Sequence, residues 1–242
     1  MLVVKGLTKH FGGVMAVQDL SFTLTPGEIL GFIGPNGAGK STVFNLLTGL
    51  YHPDRGEMLL DGENITGLPV HQYARRGIGR TFQATRLFAT LSVAENIRVG
   101  CEVLQKNVDD MKIRQCLDLV KLAGKTEETL QVLSSAEQRR LMIALAMCAS
   151  PRILLLDEPT AGMIAEEVLE TLRMIREIRE KGTAILFIEH NMRAVMNLCD
   201  RVIVINSGKL IAGGTPAEIR KNPEVIEAYL GKSEFRDELK DA

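Results

Sequence analysis

No stretch of this 242-residue chain stays apolar for the length a bilayer needs, and nothing at its start reads as a secretory signal. The chain is expected to be soluble, which leaves docking on a membrane protein open. Neither charge is in excess: 29 basic against 30 acidic residues leave a net −1. Composition therefore gives no sign of a nucleic-acid partner, although a local basic face stays open. The four cysteines, Cys101, Cys116, Cys148 and Cys199, are far apart and form no C-x-x-C pair. They are expected as reduced thiols, with Cys148 and Cys199 packed in helices. His10, His52, His71 and His190 lack metal-ligand spacing, which argues against a zinc site. There is no internal repeat and no low-complexity linker. What remains is an ordinary globular balance, 45% hydrophobic and 24% charged, which argues against disorder. The length allows one large or two small domains with a sizeable core.

One stretch concentrates the chemistry. Gly34-Pro35-Asn36-Gly37-Ala38-Gly39-Lys40-Ser41 fits G-x-x-x-x-G-K-[ST]. It follows the apolar run Ile29–Ile33 and precedes the helical pattern beginning at Thr42, the strand–loop–helix context a phosphate loop requires. Gly34, Gly37 and Gly39 let the backbone bend close to an anion, so that successive N–H groups point at phosphate oxygens. The helix start adds positive potential. Lys40 can then reach the β- and γ-phosphates, and Ser41 can give its hydroxyl to Mg²⁺. The alternative is a glycine-rich turn before a helix.

Upstream, Leu2, Val4, Leu7, Val17, Leu20, Phe22 and Leu24 suit short antiparallel strands broken at Gly12-Gly13 and Pro26-Gly27. Phe11 reads locally either as a core residue, which the pattern favours, or as an aromatic platform for a base. After the loop, the spacing predicts a helix to about Thr48, a strand at 58–60, a short helix over 70–76 and a strand over 79–82. That strand ends at the polar Gln83, where open parallel sheets place ligand contacts. From Ala84 to Cys148 helical spacing takes over, with Ser134–Glu137 as a capping box.

Arg152–Glu158 runs four apolar residues straight into two carboxylates. This reads as a central parallel strand delivering acids at the sheet's carboxyl edge. Asp157 is placed to hold Mg²⁺ through water, and Glu158 to orient or deprotonate an attacking water; a helix start enriched in acids is the alternative. A helix over 166–180 and a buried strand over 183–188 follow, the latter ending in Glu189-His190, where His190 is either structural or a γ-phosphate contact. Residues 201–212 read as a hairpin, with short helices at 216–221 and 223–230 and a charged tail expected to fray.

In order, these pieces resemble the ATP-binding subunit of ABC transporters over nearly the whole chain: the phosphate loop, Gln83, a helical insertion, LSSAEQRR at 133–140, LLLDEP at 154–159, then His190. Within that superfamily GPNGAGKSTVFNLLTG, RRGIGRTFQATRLF, LSVAENI and GGTPAEIRKNPEVIEAYLG are most similar to branched-chain amino-acid uptake. A lipopolysaccharide-export ATPase shares parts of the first and last. The resemblance implies an α/β P-loop NTPase, with residues 1–83 and 149–242 as a RecA-like core plus an antiparallel β-subdomain, and 84–148 as an inserted helical subdomain. It implies ATP and Mg²⁺ as cofactors. The implied nucleotide contacts are Phe11, Val17, Gly34 through Thr42, and Gln83; the implied metal contacts are Ser41, Gln83 and Asp157. Glu158, His190 and Lys40 are cast as catalytic. The partners implied are permease subunits, whose helix would enter a groove around Gln83 to Ile97, and a second cassette bound head to tail. No nucleic-acid partner is implied, and the location would be the cytoplasmic face of the membrane.

Two departures stand out. The family signature LSGGQ is here Leu133-Ser134-Ser135-Ala136-Glu137, so two Cβ atoms enter where close backbone approach is expected and a carboxylate comes near an anion, although relatives use Glu here too. At position 164, usually Asp or Asn, stands an isoleucine, which cannot make polar contacts across a dimer. A degenerate ATP-binding switch is therefore one rival reading. A soluble cassette acting on nucleic acid or ribosomes is another, without the second cassette or coiled-coil insertion typical of those proteins.

Overall fold

A computed structural model describes residues 1–81, 87–103 and 109–229. Two sheets organise it. In the first, β1 (Leu2–Phe11), β2 (Val14–Leu24), β4 (Arg55–Leu60) and β5 (Glu63–Asn64) lie antiparallel in the order β2-β1-β4-β5. Leu2 pairs with Leu24, Val4 with Phe22 and Leu7 with Leu20, so the alternation seen in the sequence buries one face of the sheet.

The second sheet takes β3 (Ile29–Ile33), β6 (Ile78–Arg80), β7 (Ile153–Asp157), β8 (Ala184–Ile188), β9 (Arg201–Asn206) and β10 (Lys209–Gly214) in the order β10-β9-β3-β8-β7-β6. All neighbours are parallel except the β9–β10 hairpin. Every residue of β3, β7 and β8 is buried, which is why their sequences are continuous apolar runs. Alternate side chains feed two cores. Leu30, Phe32, Leu155 and Leu186 join the antiparallel sheet and α1 (Lys40–Leu47), while Ile29, Ile33, Leu154 and Phe187 join the helices on the other face.

Those helices include α3 (Val93–Val103), α4 (Asp110–Leu119) and α5 (Ser135–Cys148), which pack on one another, together with α6 (Ala165–Glu180) and α7 (Met192–Leu198). Short helices α2 (Val70–Arg75), α8 (Pro216–Lys221) and α9 (Pro223–Tyr229) complete the described α-helices, and single 3-10 turns at Ala123–Lys125 and Leu130–Val132 lead into α5. Helix α7 is not foreseen from the sequence, and Cys199 stands just beyond its last turn rather than within a helix. The cysteines are all free and buried. Three that are distant in sequence converge: contact with the Cys101 thiol heads the causes that push Cys148 up to about 12, and contact with Cys148 heads those that raise Cys116.

Candidate active site

The loops leaving β3, β7 and β8 meet at one edge of the parallel sheet, as open α/β sheets require of a ligand site. There they border a cleft of about 590 Å³ lined by Asn36 through Thr42, Asp157, Glu158 and His190. No side chain caps α1, whose N-cap is Gly39 at φ 104, so its first-turn amides face the cleft without a side-chain acceptor. A Cβ on Gly39 would stand 2.3 Å from the carbonyl oxygen of Ala16, so only glycine fits the turn. Lys40 is buried, and its Nζ donates to the carbonyls of Gly34 at 2.6 Å and Pro35 at 3.1 Å. From behind, the Ser207-Gly208 turn braces the loop, Gly208 donating to Ala38 O and accepting from Gln18 N.

Asp157 ends β7 with its own amide donated to Thr81 Oγ1 at 3.2 Å. Arg80 Nη2 lies 3.3 Å from Asp157 Oδ2, and Arg80 Nη1 donates to Asn45 Oδ1 at 2.6 Å, tying β6 to α1. Burial raises the Asp157 carboxyl above its usual range, with the Arg80 guanidinium opposing. Glu158 follows in a left-handed conformation at φ 49, its amide donating to Ile188 O. Its Oε1 is 2.8 Å from His190 Nε2, and Arg139 of α5 donates to its carbonyl.

Phe11 is 42% exposed, so the core alternative fails: the residue sits where β1 turns into β2, beyond the buried face. Tyr51 meets it edge-on with centroids 5.1 Å apart, and Lys9 Nζ lies 5.6 Å from its centre. Val17 is fully buried in the core, and Val14, Met15 and Ala16 line the cleft instead. Gly34 and Pro35 turn their carbonyls to Lys40. Gln83 lies outside the described residues.

The signature stretch does not line the cleft of its own chain. Ser134 caps α5 by accepting from Glu137 N at 3.2 Å, and Glu137 Oε2 accepts from Ser134 N at 2.9 Å. Lys125 pairs with the same carboxylate at 2.7 Å. Burial alone would raise Glu137; Lys125 and the Ser134 amide outweigh it and lower it below 4.5. That carboxylate is committed locally. Ala136 is buried, leaving Ser134 and Ser135 exposed, and Ile164 is 66% exposed at the start of α6.

Sequence reasoning passed over Arg80, Tyr51 and Glu189, and also Asn96, which is fully buried. Asn96 accepts from Phe88 N and donates to the carbonyls of Phe88, Leu91 and Ser92, holding an exposed Phe88 on a fixed turn.

Oxygen donors suited to a hard divalent cation, the Ser41 hydroxyl and the Asp157 carboxylate, share the cleft. Among the described residues no group of three or more His, Cys, Asp or Glu could hold a metal. A cation here would complete its shell from a bound ligand and water. No helix among the described residues is long and apolar enough to cross a membrane.

The family described as ABC transporter matches residues 17–161, and one described as Branched-chain amino acid ATP-binding cassette transporter matches residues 209–234. The high-affinity branched-chain amino acid transport ATP-binding protein LivG of Escherichia coli (strain K12) is 42% identical over 96% of this chain and 98% of its own. The lipopolysaccharide export system ATP-binding protein LptB of Acidithiobacillus ferridurans is 38% identical over 96% and 97%. The crystal structure of the ADP conformation of MJ1267, an ATP-binding cassette of an ABC transporter, superposes with a TM-score of 0.88 at 26% identity, covering 96% of this chain and 99% of that one.

Proposed function

The chain belongs to the ABC transporter family as an ATP-binding subunit, and from that premise we propose that it hydrolyses Mg-ATP at the cleft described above to drive uptake of branched-chain amino acids. The observation that carries the chemistry is an uncapped helix start and a buried lysine sharing one cleft with Asp157, Glu158 and His190. The uptake reading is supported by the second family match at 209–234 and by the identity to LivG. Lipopolysaccharide export is the second reading, favoured by the 38% identity to LptB.

In this scheme the amides of residues 37–42 and Lys40 bind the triphosphate. Phe11, braced by Tyr51, stacks on the base. Ser41 and Asp157, joined in the proposal by Gln83, would hold Mg²⁺, which when bound would supply charge neutralisation to the phosphates. Glu158 takes a proton from a water as its oxygen bonds to the γ-phosphorus, the β–γ bridging bond breaks, and ADP and phosphate leave. His190, now paired with Glu158, swings to the γ-phosphate.

Because Ser134 and Ser135 lie away from their own cleft, they serve the nucleotide of a second cassette docked head to tail. With an intact partner, the two sites of the dimer are unequal. In the same proposal a permease helix enters the groove around Gln83 to Ile97, and the chain works at the cytoplasmic face of the membrane as a peripheral subunit. The domain boundaries of the proposal are those expected from the sequence.

Phosphate release by the reconstituted transporter tests the scheme. Lys40→Ala is expected to lose about a hundredfold in nucleotide affinity or more. Glu158→Gln is expected to keep binding and lose roughly 10²–10⁴-fold in turnover. Equal losses from Glu158→Gln and from the matching change in the partner cassette would sink the unequal-site reading. Turnover coupled to lipopolysaccharide release, without leucine uptake, would select export.

A further inference from the structure

We propose that Glu189 is a positioning residue for hydrolysis, its buried carboxylate fixing the spacing between the loop that carries Glu158 and the loop that carries His190. The proposal rests on the reading that those two residues do the chemistry. Glu189 is 4% exposed at the end of β8. One oxygen, Oε1, accepts from Thr160 N at 2.8 Å and from Thr160 Oγ1 at 2.5 Å. The other, Oε2, accepts from His190 N at 3.0 Å and from Asn191 N at 3.4 Å. All four donors are neutral groups, and between them they use the carboxylate's acceptor capacity. So expensive a burial is sustained only where every lone pair is satisfied.

What the four bonds join matters more than their number. Thr160 stands two residues past Glu158, in the segment leading to Ile164. His190 and Asn191 begin the segment after β8, and Asn191 Oδ1 in turn accepts from Ala194 N at the start of α7. The same two segments meet again where Glu158 N donates to Ile188 O, and where Glu158 Oε1 faces His190 Nε2 at 2.8 Å. Glu189 thus closes a ring of contacts around the reacting pair while contributing no atom to the cleft lining. It grips His190 by the main-chain amide, leaving the imidazole free to exchange Glu158 for a phosphate without moving the backbone. It also ties that amide to the segment which, in a head-to-tail dimer, faces the second cassette. Contact there is passed to His190 through one side chain.

The residue type is dictated by this task. A glutamine keeps the shape but turns an NH₂ group toward one end, orphaning either the amides of His190 and Asn191 or the amide of Thr160, and it gives up the charge that strengthens all four bonds. An aspartate is a methylene too short to span both loops.

The test is Glu189→Gln in the assembled transporter, read three ways. We expect kcat to fall about tenfold or more, as small misplacements of catalytic groups do. KM and the affinity for a fluorescent ATP analogue should stay within about twofold, because no phosphate-loop contact changes. Hydrogen exchange at the His190 and Asn191 amides should quicken about tenfold while residues 34–47 keep their protection. Thr160→Val, which removes only the hydroxyl bond, should give a smaller fall, and the double variant should be no worse than Glu189→Gln alone. Glu158→Gln, assayed in parallel, separates the two ideas. If it retains full turnover, the chemistry assigned to Glu158 is wrong. If it is inactive while Glu189→Gln keeps kcat within twofold with both amides still protected, the positioning role is wrong. A Glu189→Gln protein whose exchange quickens throughout the chain, with KM rising as kcat falls, also overturns it, leaving Glu189 a stabilising residue only.

Discussion

Two helix starts in this molecule receive opposite treatment. Helix α1 opens on Gly39 with no side chain to cap it, and its amides look into the cleft. Helix α5 opens on Ser134 with its cap complete, serine and Glu137 satisfying each other's main-chain N–H groups and Lys125 pairing with the glutamate. Every helix start carries orphan donors and positive potential. The difference teaches that an anion site arises where the sequence withholds a cap and lets the backbone come close. A capped start can still offer its serine hydroxyl, but it has little need of a guest. In the proposed dimer one nucleotide would lie between an open helix start of one subunit and a self-satisfied one of the other, so most of its binding energy comes from the open side.

Closing the open start should have the largest effect. Gly39→Ala places a Cβ against the Ala16 carbonyl and forces φ 104 on a residue that resists it. We expect nucleotide binding to vanish in calorimetry and urea unfolding to report a loss of roughly 2–3 kcal/mol in stability. Opening the closed start should do less. Ser134→Ala is expected to cost about 1 kcal/mol of stability, to leave the isolated chain's nucleotide affinity unchanged and to slow turnover only in the assembled dimer. The smallest effect should come from Glu137→Gln and should depend on pH. The Glu137 carboxyl is held below its ordinary 4.5 in the folded chain, so its contribution is complete above that pH and is lost as acid protonates the folded form. Urea midpoints of the variant and the parent should therefore differ at pH 7 and converge below pH 4.5.

The sequence was legible where the signal is local. The run into Asp157-Glu158, the phosphate-loop glycines and the Ser134 capping box are each written within eight residues, and each folds as its pattern implies. The two sheets were legible too, because buried-on-both-faces and buried-on-one-face strands differ in period. What escaped depends on residues brought together from afar. Phe11 seemed a core residue because its neighbours alternate, but its burial is decided by where the β1–β2 turn falls. Val17 goes to the core and Val14 to the cleft for the same reason. Arg80 and Asp157 lie 77 positions apart and Glu189 lies 29 from Thr160, distances over which no periodicity speaks. Helix α7 was hidden because its seven residues make only two turns, too few for an apolar period to stand out.

The lysine at the heart of the cleft has a consequence of its own. Its ammonium is clasped by the carbonyls of Gly34 and Pro35, so the loop's two ends are drawn together by one of its own side chains. The curvature of the receptacle is thus written into the chain itself, and an arriving anion would compete with two neutral oxygens for a cation already at its post.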